Sequence, residues 1–88
     1  MMAIDAQELT QAARVALVAA SVGDAVQALR RLLPGIRASA VDAFDMRGET
    51  PVLRLGDRDM FLMQSDGHCW SVTGDPAHAQ AIVLTQRT

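Results

Sequence analysis

The pair Asp66-Gly67 lies at the centre of the segment Met60–Pro76 and predicts a tight turn between two strands. A two-residue type I′ turn needs positive φ at both central residues, and Asp-Gly supplies that conformation at low steric cost. Such a turn sets the register of the hairpin, because each residue before it then faces one residue after it. The expected pairs are Ser65 with His68, Gln64 with Cys69, Met63 with Trp70, Leu62 with Ser71, Phe61 with Val72, and Met60 with Thr73.

The expected register divides the hairpin between two faces, because successive side chains of a strand point in opposite directions. One face carries most of the large apolar side chains and is the predicted core: Phe61, Met63, Trp70 and Val72. The other face mixes apolar with small polar side chains, and we expect it to be half covered or to meet a partner. This candidate interface consists of Met60, Leu62, Gln64, Cys69 and Ser71.

Residues 5–33 predict helix, since apolar side chains recur there at intervals of three and four residues. Gly23 suits the C-terminal end of a helix, and Asp24 followed by Gln27 resembles a capping box. We therefore expect the helical region to break at Ser21–Asp24. The second helix is expected to end at Pro34-Gly35.

The rest of the chain predicts short strands separated by turns. The first strand is expected over Ile36–Phe44, and Val52–Leu55 predicts another at a sheet edge. Asp75-Pro76 is typical of a helix start, while β-branched residues favour a closing strand over 81–85, with a helix as the alternative. The predicted fold class is α+β: one domain over residues 1–88, with two N-terminal helices on one face of an antiparallel sheet of about four to five strands.

Charge and composition exclude several classes of partner. The chain has 8 basic and 10 acidic residues, a net charge of −2, and no basic cluster larger than Arg30-Arg31, so nucleic acid is not an expected partner. Cys69 is the only cysteine, which excludes an internal disulfide and favours the cytoplasm. The apolar run at 15–20 follows Asp5 and Glu8 and is too short for a bilayer, so we expect neither a signal sequence nor a membrane segment.

His68, Cys69 and His78 are the candidate chemical groups, since a histidine can activate a thiol and both residue types bind zinc. Neighbouring residues of a strand point to opposite faces, so His68 and Cys69 cannot form a pair, and His78 would have to be recruited. A zinc site would also need a carboxylate such as Asp66 or Asp75, and the spacing matches no established ligand pattern. A half-buried thiol and a hydrogen-bonded histidine are the favoured interpretation, and no cofactor is expected.

Five segments occur in an order shared with a known group of proteins: Leu33–Ile36, Phe61–Met63, Asp66–Trp70, Val72–Pro76 and Ile82–Leu84. On these segments, about the C-terminal two-thirds of the chain resembles a family of short uncharacterised bacterial proteins encoded near nitrogen-fixation genes. The resemblance implies an accessory role in nitrogenase or metallocofactor metabolism, and it brings no catalytic residue.

These observations predict a non-enzymatic accessory or protein-interaction domain. We expect the candidate interface or a sheet edge to meet a protein partner or a second copy of the chain. The alternative is a small enzyme, or a ligand- or metal-binding module, built around Cys69 with His68 or His78. The reactivity of the thiol distinguishes the two hypotheses, because only the alternative requires an activated cysteine.

Overall fold

Two helices and five strands make up the described part of the chain, residues 4–87 of a computed structural model. The helices are α1 (Ala6–Val18) and α2 (Val22–Leu32), and the strands are β1 (Arg37–Ala40), β2 (Leu53–Leu55), β3 (Arg58–Ser65), β4 (Trp70–Thr73) and β5 (Ala81–Gln86). Two short 3-10 helices cover Ala43–Met46 and Pro76–His78. The α+β class is confirmed, as is the closing strand. Within residues 4–87, no helix has the length and apolar character needed to cross a membrane.

Side-chain caps determine where the two α-helices begin. Asp5 accepts a hydrogen bond from the Glu8 amide at 2.7 Å, and the Glu8 carboxylate accepts one from the Asp5 amide at 3.1 Å, which forms a capping box for α1. The helix α2 begins earlier than predicted, because Ser21 is its N-cap and accepts from the Asp24 amide at 3.1 Å. Gly23 therefore lies inside α2 instead of ending α1.

The sheet has the strand order β1-β5-β3-β2, and β4 pairs with β3 on the same side as β2. The predicted antiparallel pairing holds for β2 with β3, β3 with β4 and β3 with β5, whereas β1 and β5 pair in parallel, so the prediction was wrong for this pair. Parallel neighbours need a crossover of about a dozen residues or more, and residues 41–80 supply one. The strand β1 ends at Ala40 instead of Phe44, because the Asp42 carboxylate accepts from the Phe44 amide at 2.8 Å and starts a 3-10 helix.

The hairpin turns at Asp66-Gly67 as predicted, but its register differs from the predicted one by two residues. Ser65 pairs with Trp70, so the loop contains four residues, 66–69. Gly67 has a φ of 99°, but among the described residues only glycines have a positive φ. Asp66 therefore lacks the positive φ that a type I′ turn requires, which excludes the predicted turn type. The Asp66 carboxylate accepts the amide N–H of both His68 and Cys69 at 2.9 Å, and this side-chain turn favours the longer loop.

Both α-helices pack on the sheet face that carries Met60 and Leu62, and these two side chains are fully buried there. The predicted core was therefore the wrong face of the hairpin. A register change of two residues leaves the alternation of side chains intact, so the error lies in the choice of face. Phe61 lies on the central strand β3, on the helix-free face, and is also buried. Trp70 on that face stays 46% exposed.

The core beneath the helices combines small helical residues with aliphatic strand residues. Alanines of α1 and α2 allow both helices to approach the sheet closely, since a methyl group is the smallest side chain that still excludes water. The buried members of this core are Ile4, Ala12, Ala16, Ala25, Val26, Leu29, Leu33, Ile36, Ala38, Met60, Leu62, Ala79, Ile82 and Leu84.

Arg58 connects the central strand to the C-terminal end of α1. Its side chain is buried, and its Nη1 donates to the carbonyl oxygens of Ala16 at 2.8 Å and Ala19 at 2.6 Å. Its Nε donates to Oε1 of Gln86 at 3.2 Å. The last carbonyl groups of a helix have no partner within the helix, so the guanidinium satisfies acceptors that α1 leaves open.

Candidate functional site

The candidate interface predicted from the hairpin does not form one surface in the structure. Met60 and Leu62 lie fully buried beneath the helices, so the prediction that they lie on an uncovered face was wrong. Gln64 is half-buried, while Cys69 and Ser71 are exposed near the turn. The helices thus cover this face along the middle of β3 and leave its turn end open. Only the turn end of the predicted interface is accessible to a partner.

His68, Cys69 and His78 are all exposed. His68 and Cys69 are consecutive residues of the hairpin loop, so the prediction that they point to opposite faces of a strand was wrong. Cys69 lies in the hairpin loop with a free thiol, not half-buried on a strand as predicted. His78 Nδ1 lies 3.5 Å from Oδ2 of Asp75, its neighbour at the start of the same 3-10 helix. Among residues 4–87, no group of three His, Cys, Asp or Glu side chains is placed to hold a metal ion.

The fold changes the acidity of Asp66 in the hairpin loop. Hydrogen bonds from the amides of Cys69 and His68 hold the pKa of the Asp66 carboxyl below its ordinary value, because they favour the charged form. The side chain is fully exposed to solvent, and both of its donors are backbone groups. Its role is to shape the loop that precedes Trp70.

Lowering the pH is expected to loosen this loop. A carboxyl with a depressed pKa in the folded chain stabilises the fold above the unfolded pKa of about 3.9, and this contribution is lost as the pH falls through the lower folded pKa. The amides of His68 and Cys69 should then shift and exchange faster with solvent in NMR spectra recorded at decreasing pH. The variant Asp66→Asn should lack this step. A midpoint at or above the ordinary pKa of an aspartate would contradict the expectation.

The helix-free side of the sheet carries an exposed tryptophan beside an arginine. Arg37 of β1, Ala81 of β5, Met63 of β3 and Val72 of β4 form one row across the four strands. Trp70 lies two residues from Val72 on the same face, and its ring centroid is 5.9 Å from Cζ of Arg37. Since β1 and β4 are separated by two strands, or about 14 Å, both side chains must extend across the face. The geometry is that of a cation–π pair.

We call this surface the Trp70 face and define it by Arg37, Ser39, Met63, Ser65, Trp70, Val72 and Ala81. On the helix-free side, the exposure of the side chains increases along β3 toward the hairpin turn. Asp59 and Phe61, at the other end of the helix-free side, are buried, whereas Met63 and Ser65 are half-buried and Trp70 is exposed. The open part of the helix-free side therefore coincides with the cation–π pair.

The outer edge of β1 adjoins the Trp70 face. The Arg37 amide donates to the carbonyl oxygen of Gln80 at 3.3 Å, and the Val41 amide donates to that of Leu84 at 3.1 Å. The alternate residues Ala38 and Ala40 therefore direct their N–H and C=O groups away from β5. Arg30 of α2 reaches this edge, where its Nε and Nη2 donate to the Ala38 carbonyl oxygen at 3.2 Å and 3.1 Å. An open depression of about 400 Å³ lies along this edge.

A second apolar surface lies between the start of α2 and the 3-10 helix after β1. Val18 is 73% exposed at the end of α1, and Phe44 is 63% exposed in the 3-10 helix after β1. Val22 and Phe44 both line an open depression of about 530 Å³. Arg47 stacks on the Phe44 ring, with Cζ 3.9 Å from its centroid, so one face of this aromatic ring is already covered by its own chain.

Sequence reasoning missed most of the groups that form the exposed surfaces. Trp70 was assigned to the core, although its polar neighbours Cys69 and Ser71 were a signal that the strand end near the turn is open. Arg37 carried no signal, because its proximity to Trp70 depends on the parallel pairing of β1 with β5. Arg30 carried none either, because its contact with Ala38 depends on how α2 packs against β1.

Comparisons of the chain with protein-family models, curated proteins and solved structures found no match. The resemblance to proteins encoded near nitrogen-fixation genes is therefore carried by the five sequence segments alone.

Proposed function

We propose that this chain is a non-enzymatic protein-interaction domain whose Trp70 face binds a protein partner. The observation that supports the proposal is the 46% exposure of Trp70 on a helix-free sheet surface, with the Arg37 Cζ 5.9 Å from its ring centroid. Tryptophan and arginine are enriched among the residues that dominate the energy of protein interfaces. An exposed aromatic ring costs solvation energy that a partner recovers by covering it.

The accessible polar groups favour binding over catalysis. A catalytic site needs a nucleophile or base within about 3.2 Å of a group that activates or orients it. Within residues 4–87, no hydrogen bond joins the exposed Cys69 thiol to a histidine, and His78 is paired with Asp75. The alternative of an enzyme or metal-binding module built on Cys69 thus gains no geometric support.

The biological context of this binding is part of the proposal. The resemblance described above supports an accessory role beside nitrogenase or metallocofactor metabolism, and the lone cysteine supports a cytoplasmic location. The arrangement of neighbouring genes is the direct check of this context. An encoding region without nitrogen-fixation genes would remove the nitrogenase association and leave the binding proposal in place.

Trp70→Ala is expected to weaken partner binding by at least about 30-fold, the effect of losing one interface residue worth about 2 kcal/mol. The matched control is Phe44→Ala, which removes an aromatic ring that is even more exposed from the other apolar surface. The measurement is co-purification with the tagged chain from its source cells, followed by titration of the purified partner. Equal retention of the partner by wild type and Trp70→Ala would overturn the proposal.

Trp70 also reports on its own surface, because it is the only tryptophan of the chain. A partner that covers the Trp70 face should shift the emission of this side chain to shorter wavelength, since the ring leaves water. The control variant should show the same shift as wild type. Binding without any change in emission would place the partner on another surface.

A further inference from the structure

We propose that the outer edge of β1 takes up an extended, acidic segment of the partner as an additional strand of the sheet. This inference rests on the proposed function, because the edge of β1 borders the Trp70 face at Arg37. Addition of a peptide strand to an open sheet edge is a common mode of recognition, in which main-chain hydrogen bonds supply affinity and flanking side chains supply specificity.

The backbone of β1 offers the groups that such a strand requires. Ala38 and Ala40 direct their N–H and C=O groups away from β5, two residues apart, as the hydrogen-bonding positions of an edge strand do. Arg30 now occupies the Ala38 carbonyl oxygen with two hydrogen bonds. An incoming strand replaces these bonds with its own N–H, which releases the guanidinium to meet a carboxylate of the peptide.

Charge selects an acidic segment. The depression along the edge is lined by two arginines and no carboxylate: Arg30, Pro34, Gly35, Ile36, Arg37, Ala38 and Ser39. The whole chain carries a net charge of −2, so this edge is a local basic site on an acidic protein. An acidic segment is attracted here and repelled by much of the remaining surface, which orients its approach.

The opposite edge of the sheet is less suited to strand addition. It consists of β2 and β4, which follow one another along β3 and contain three and four residues. A peptide there would meet a broken row of backbone groups. Pairing of two β1 edges from two copies is also disfavoured, because both copies would bring Arg30 and Arg37 to the same edge.

The probe is a blocked nine-residue peptide of alternating valine and glutamate, compared with versions that carry glutamine or lysine instead of glutamate. We expect the glutamate peptide to bind at least about tenfold more tightly than the lysine peptide, with an affinity that falls as salt is added. In NMR spectra, hydrogen exchange of the Ala40 amide should slow on binding. Equal affinity of the three peptides, or changes confined to residues 53–55 and 70–73, would overturn the inference.

Two substitutions of one residue test the role of the edge itself. Ala40→Pro removes an outward-facing N–H and leaves the bonds between β1 and β5 intact, so it should weaken the glutamate peptide about tenfold or more. Ala40→Val keeps the N–H and should bind like wild type. Unchanged binding by Ala40→Pro would refute strand addition.

Three arginine variants test the charges. Arg30→Gln and Arg37→Gln should weaken binding of the glutamate peptide, whereas Arg31→Gln, outside the depression, should not.

The outcomes separate this inference from the function on which it rests. If Trp70→Ala releases the natural partner while Ala40→Pro retains it, the Trp70 face binds the partner without strand addition and the inference fails alone. If neither variant releases the partner, the proposed function and the inference both fail. A concentration-dependent doubling of mass that Ala40→Pro abolishes would identify a second copy as the occupant and would overturn the acidic segment.

Discussion

Leu62→Asp is expected to leave the chain unfolded. Leu62 is fully buried on the central strand β3, beneath both helices. A carboxylate at this position would lose its water without gaining a partner, at a cost comparable to the whole stability of a domain, about 5–15 kcal/mol. Circular dichroism and the dispersion of amide resonances should both report the loss of the fold. An interface position on an uncovered face would instead accept the charge and lose only a partner.

Two further variants make the comparison quantitative. Leu62→Ala removes the same side chain without adding a charge and should cost about 2–5 kcal/mol, so it should fold with a lower urea midpoint. Val18→Asp places the same charge on an exposed apolar residue and should cost less than about 1 kcal/mol. A folded Leu62→Asp chain with near wild-type stability would show that the helices do not cover this face in solution.

Arg58→Met is expected to lower the free energy of unfolding by about 3 kcal/mol, because it leaves buried hydrogen-bond acceptors without a donor. The carbonyl oxygens of Ala16 and Ala19 each accept from Arg58 Nη1, and no helical bond replaces that donor at the end of α1. Methionine fills a similar volume, so the effect isolates the hydrogen bonds from the packing. Urea unfolding followed by circular dichroism measures it as a lower midpoint at unchanged slope.

Arg54→Met is the matched control, since Arg54 lies on the neighbouring strand β2 and is exposed. Its removal should change the stability by no more than about 0.5 kcal/mol, as is usual for surface positions. Arg58→Lys should be intermediate, because an ammonium retains the charge but cannot reproduce the fork of the guanidinium. Equal stability of the Arg58 and Arg54 variants would show that the α1 carbonyls find water instead.

The elements that sequence reasoning placed correctly are those with local signals. Asp75 before Pro76 starts a short helix, as predicted, because its carboxylate accepts from the Ala77 amide within one turn of chain. Pro34-Gly35 ends the helical region because proline cannot continue a helix. The turn at Asp66-Gly67 was placed correctly because glycine adopts the positive φ of this loop, 99° at Gly67, at low steric cost.

The register and the face were decided by interactions that local patterns do not carry. The Asp66 carboxylate bonds two amides and lengthens the loop, an alternative that the Asp-Gly pair leaves open. The two sides of β3 are almost equally apolar at Met60, Phe61 and Leu62, so alternation cannot tell which side the helices cover. The helices cover the side on which Leu62 packs in one core with aliphatic residues of β5 and the alanines of the helices.

By itself, the sequence determined the α+β class, the order of helices and strands and the position of the central hairpin, since these depend on residues close in the chain. Only the tertiary structure decided that Trp70 lies beside Arg37 and that β1 has an open edge, at which Arg30 donates to the Ala38 carbonyl oxygen. Those relations follow from the parallel pairing of β1 with β5, strands separated by 40 residues, 41–80. Such a contact is fixed by packing of the whole domain, which no local pattern encodes.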